Sequence, residues 1–216
     1  MRSRFLGPVI AIAALALAVP DSASATSATA RVVVRPVTAG GLPAPGFHAV
    51  VDHRQSDAVD CRTADPSPGA LDRDIEWCSP SAAYAIACWK AAAPHRVLCT
   101  RDPRSERVYS IVRDGGFATT DAVTKRNLSP IVLILRDGTV CFIRDGGAWG
   151  QLRSHPKWYG TYSCDHHGDV WSKPFAPHDG IDESQPAWTV QTSASSGNGR
   201  LTVRTVAKAY FVGTHA

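Results

Sequence analysis

The aromatic and titratable side chains of this 216-residue chain crowd into one stretch, from Trp149 to Trp188. Three chemistries fit the residue types found there. Asp165, His166, His167, Asp169 and His178 are imidazole and carboxylate groups of the kind that ligate Zn²⁺. Adjacent histidines on a strand point to opposite faces, so His166 and His167 serve one ion only if Gly168 turns the chain. Asp179, Asp182 and Glu183 stand before Trp188, and glycoside hydrolysis needs two carboxyl groups across the scissile bond. Trp149, Trp158, Tyr159, Tyr162, Trp171 and Trp188 offer flat faces of the kind that stack on sugars and anchor interfaces.

Each reading has a plainer rival. The histidines lack the fixed His-Glu-x-x-His spacing, and a solvated loop accounts for them equally well. An acidic turn before a strand accounts for the carboxylates. There is no Gly-x-Ser-x-Gly nucleophile motif. At least half of the aromatics are expected to be structural, because tryptophans also fill small β cores. The binding reading stays ahead, with Trp149, His155, Trp158, Tyr159, Asp165, His166, His167 and Trp171 as its candidate surface. No cofactor is expected.

The formal charge of +4 is spread thinly, and no dense basic stripe points to nucleic acid. Arg2 and Arg4, the apolar run Phe5–Val19 and Ala23-Ser24-Ala25 read as a signal peptide over residues 1–25, cleaved before Thr26. The apolar run is short for a membrane anchor, and nothing after it could span a bilayer as a helix. Export places the six cysteines in an oxidising compartment. No Cys-x-x-Cys is present, so bridges come before redox or zinc chemistry. Six cysteines allow fifteen pairings. The Ala91–His95 link suits a hairpin that sets Cys88 against Cys99, Cys141 and Cys164 flank one connection, and Cys61 is then left with Cys78.

These residues need a β scaffold to hold them. Residues 26–46 read as a flexible Pro/Gly/Ala-rich lead-in, with Arg31–Arg35 as an added edge strand at most. From Phe47 onward β-type runs recur: Phe47–Val51, Tyr84–Lys90, Arg96–Arg101, Arg107–Val112, Ile131–Arg136, Thr139–Arg144, Gly160–Cys164, Trp188–Thr192 and Leu201–Val212. Gly-rich turns separate them, the pattern of a single antiparallel sandwich or barrel-like domain over 47–216 with little helix. Asp137-Gly138 between two apolar runs predicts a two-residue type I′ hairpin, pairing Leu135 with Val140, Ile134 with Cys141 and Leu133 with Phe142. Both hairpin faces are apolar, so both must be covered.

Cys88-Trp89, Arg96–Pro103, Asp137–Cys141, Gly146–Trp149, Gly180–Asp182, Trp188–Val190 and Ala209–Gly213 together resemble exported six-cysteine proteins of mycobacteria and related actinobacteria, a family of unassigned function. The likeness runs over about residues 58–213. It implies export and structural disulfides, and it brings no catalytic residues with it. The expectation is a secreted or cell-wall-associated, non-catalytic binding protein whose partner is a cell-wall glycan or another extracellular protein. The alternative is a secreted hydrolase, with or without a metal, using the acids and histidines of 165–183.

Overall fold

A computed structural model describes residues 27–51, 58–79, 85–144, 152–166, 168–193 and 200–216. The chain is mainly β, and its only helical element among those residues is one 3-10 turn, Pro177–Gly180. The strands form two barrel-like sheets.

In the first sheet β3 (Val59–Pro66), β4 (Glu76–Ser79), β5 (Ala87–Lys90), β6 (Arg96–Thr100) and β7 (Arg107–Asp114) follow one another as antiparallel neighbours. The ring closes where β7 meets β3 in parallel, Val59 beside Arg113. β2 (His48–Val51) lies parallel to the first half of β7. Its centre is small and depends on sulfur. Cys61–Cys78 and Cys88–Cys99 pack with Val59, Ala85, Val97 and Ile111. Cross-links of this kind help a small core hold its fold by restricting the unfolded chain.

The second sheet runs β8 (Val132–Leu135), β9 (Val140–Ile143), β10 (Tyr159–Cys164), β11 (Asp169–Ser172), β12 (Thr189–Ser193) and β13 (Leu201–His215). It closes by antiparallel pairing of β13 with β8. Leu133, Leu135, Tyr162, Val170, Val190 and Phe211 fill it, beside the Cys141–Cys164 bridge. A third apolar cluster joins the two barrels: Trp89, Leu98 and Val108 from one meet Val132 and Val212 from the other. The β3–β4 connection adds a fastening, with Leu71 N donating to Val212 O and Thr214 N to Asp72 Oδ2. All three disulfides join the cysteines paired from the sequence.

Two expectations are corrected here. The described part of the lead-in, 27–46, is part of the folded body, and the edge strand allowed for at Arg31–Arg35 is present within a longer one. Ala30–Thr38 forms β1, parallel to the second half of β13, and Val37 and Ala44 are buried. The central hairpin is also one residue out of the expected register. Ile134 faces Val140, Leu133 faces Cys141 and Val132 faces Phe142. A type I′ turn needs positive φ at both central residues, and here only Gly138 has it, at 88°. Asp137 instead accepts a hydrogen bond from Thr139 N, and Leu135 N donates to Thr139 O across a three-residue loop. The shift sends Leu133, Leu135 and Cys141 into the barrel, and Val132 and Phe142 out toward the other sheet. Both faces are covered, as the apolar pattern required.

Candidate aromatic hollow at the edge of the second barrel

Trp158 leads into β10, and Tyr159 at its start pairs with Ser172 at the end of β11. That register brings Trp158, Trp171 and Ser172 to one end of the barrel. They line an open hollow of about 230 Å³ with Lys173, Gly180, Asp182 and Gln191. Trp171 is its floor: only 1% exposed, it belongs to the interior and not to the exposed surface expected of it. Trp158 is the accessible aromatic, with the Lys173 ammonium 5.8 Å from its ring centre and the His155 ring tilted against it at 4.7 Å. Tyr159 is exposed beside them.

The turn after β11 supplies an aromatic that the sequence reading missed. Phe175 lies between the lining residues Lys173 and Ala176, is 96% exposed and has φ of 61°. A non-glycine residue in left-handed backbone costs on the order of 1–2 kcal/mol. Holding a phenylalanine there puts its ring in water. No spacing rule marks Phe175, because its exposure follows from the turn geometry. Lys173 and Gln191 were equally unmarked, since they join Trp158 only through strand pairing.

The wall behind the hollow is tightly built. His178, Asp179 and Gly180 have φ of 53°, 52° and 82°, three left-handed residues in succession. A Cβ on Gly180 would lie 2.7 Å from Ser172 Cβ, so glycine is required for the turn to seat on β11. Thr161 donates to Asp179 O, and His178 Nδ1 sits 2.9 Å from Leu128 O and 3.9 Å from Glu183 Oε1. Burial pushes the Asp179 carboxyl up, against a hydrogen bond from Ser129 and the nearby His178. The hydrogen bond from Ser184 holds Asp182 below its usual range.

The remaining sequence candidates separate from this group. Asp165 and His166 follow the far end of β10, about 20 Å along a six-residue strand from Trp158. Asp165 Oδ1 accepts from Val140 N and His166 N. Among the described residues no hydrogen bond or ion pair joins Asp165 or His166 to Asp179, Asp182 or Glu183. Among those residues, too, no group of three or more His, Cys, Asp or Glu is placed to hold a metal ion. Trp149 and His167 lie outside the described residues. Comparisons with protein-family models, curated proteins and solved structures return no match to the chain.

Proposed function

We propose that this is an exported, non-catalytic binding protein that holds a cell-wall glycan at the Trp158 hollow. The observation that carries this reading is the Trp158 side chain lining an open hollow, with Lys173, Asp182 and Gln191 offering polar atoms in the same lining; the solvent-facing Phe175 stands in the turn that supplies Lys173 and Ala176 to it. Aromatic faces with a few convergent polar groups suit sugar rings, and an open hollow suits a chain that passes across it. Three disulfides support the export reading. No helix among the described residues is long and apolar enough to cross a membrane.

The test is titration of the disulfide-intact protein with soluble cell-wall glycan fragments, followed by tryptophan fluorescence. Saturable quenching is expected, weakened ten-fold or more in both Trp158→Ala and Phe175→Ala. Absence of saturation, or wild-type affinity in both variants, refutes the reading. A hydrolase reading draws on one observation, the strained turn that sets the half-buried Asp179 next to His178, whose ring Nδ1 is 3.9 Å from Glu183 Oε1. It requires glycan cleavage that Asp179→Asn abolishes while binding survives.

A further inference from the structure

The two barrels meet at a second opening, built from residues outside the aromatic stretch. Arg101 follows β6, Asp102 and Ser105 lie in the β6–β7 loop, Arg107 and Tyr109 stand on β7, and Phe142 comes across from β9. These six line a cleft of about 590 Å³, within the ~300–1,000 Å³ that small-molecule sites occupy. Clefts between packed units are a preferred place for such sites.

Among the described residues the charge in this cleft is unbalanced. Asp102 is engaged by Arg104, whose Nε and Nη2 donate to its two carboxyl oxygens at 2.8 and 2.7 Å. Arg101 and Arg107 both line the cleft, both are exposed, and neither has an ion-pair partner among the described residues. The Arg101 and Arg104 guanidinium carbons lie 5.2 and 5.4 Å from the Phe142 ring centre. Both guanidinium groups thus lie over one ring, which brings two like charges close together. Asp102 offsets Arg104, so Arg101, over the Phe142 ring, and Arg107, in the same lining, are left as two guanidinium donors facing the cleft. Guanidinium forks match phosphate oxygens two at a time, and a phosphate monoester near neutral pH carries close to two negative charges. One carboxylate would leave the second arginine unanswered.

We propose that this inter-barrel cleft binds a small organic phosphate monoester, its phosphate held by Arg101 and Arg107 and its organic part against Tyr109 and Phe142. The site is separate from the Trp158 hollow and stands or falls without it.

The probe is phenyl phosphate, titrated into the disulfide-intact protein at low ionic strength and followed residue by residue by amide NMR. Saturating shifts are expected over residues 101–109 and at Phe142. Arg101→Gln and Arg107→Gln should each weaken binding ten-fold or more, the loss expected of one charge-assisted contact. Both side chains are exposed, so the spectrum away from the cleft should stay unchanged and report an intact fold. Inorganic phosphate should bind several-fold more weakly than phenyl phosphate, and Trp158→Ala should change nothing. Shifts scattered over the surface, benzoate binding as tightly as phenyl phosphate, or full affinity in the Arg101→Gln, Arg107→Gln double variant would each overturn the proposal.

Discussion

Glu76 is a carboxyl group inside the first barrel, fully shielded from solvent. Thr120 Oγ1 donates to its Oε1 at 2.8 Å, while Oε2 has no hydrogen-bond partner. Burial, opposed by the Thr120 hydrogen bond and helped by the charges of Asp74 and Asp65, pushes its pKa from 4.5 to about 7. The folded state therefore holds this proton more tightly than the unfolded chain does. Below about pH 4.5 both states are protonated and the full stability is present. As pH rises toward 7 the unfolded chain ionises first, so stability falls; above 7 both states are ionised and the loss is complete. At about 1.4 kcal/mol per pH unit, that interval corresponds to ~3 kcal/mol.

Glu76→Gln removes the titration and keeps an acceptor for Thr120. The new amide N–H groups take the place of the unpartnered oxygen, at a cost that does not depend on pH. The slope is thus the test, not the offset between the two proteins. Urea unfolding with the disulfides intact, run from about pH 4.5 to about pH 8, should show wild type losing ~3 kcal/mol more than Glu76→Gln across that range. Asp169 and Asp179 are also raised by burial, so they slope both curves alike and cancel in the difference. Parallel profiles would refute the assignment of a buried, proton-holding carboxyl at this position.

Two further outcomes follow from backbone and packing. Gly138→Ala should cost about 1–2 kcal/mol in urea unfolding, because φ is 88° and the added methyl meets nothing within 4 Å. Gly180→Ala should cost clearly more, since its methyl also runs into Ser172, and an equal cost would count against the described seating of that turn. Trp171→Ala should destabilise by about 3–5 kcal/mol as a buried aromatic. Trp158→Ala, at the rim, should cost about 1 kcal/mol or less by the same measurement.

The sequence by itself determined what short-range chemistry controls. Cys88 and Cys99 flank a five-residue link that suits a hairpin, and they face each other across β5 and β6. Regularly spaced apolar runs located β2, β5 to β10, β12 and β13, because alternation along a strand is written in neighbouring residues. β4 and β11 escaped notice because they bury polar groups such as Glu76, Asp169 and Ser172, whose surroundings are supplied from elsewhere in the chain, and β3 because Asp60, Arg62, Asp65 and Pro66 interrupt its apolar residues. Tertiary structure alone decided the hairpin register, where Asp137 keeps a negative φ and one residue's slip exchanges inward and outward side chains. It also buried Trp171, left Phe175 in water and brought Arg101 and Arg107 into one cleft with Phe142. An aromatic residue type states what a side chain can do; its direction is set by strands that pair across long stretches of chain.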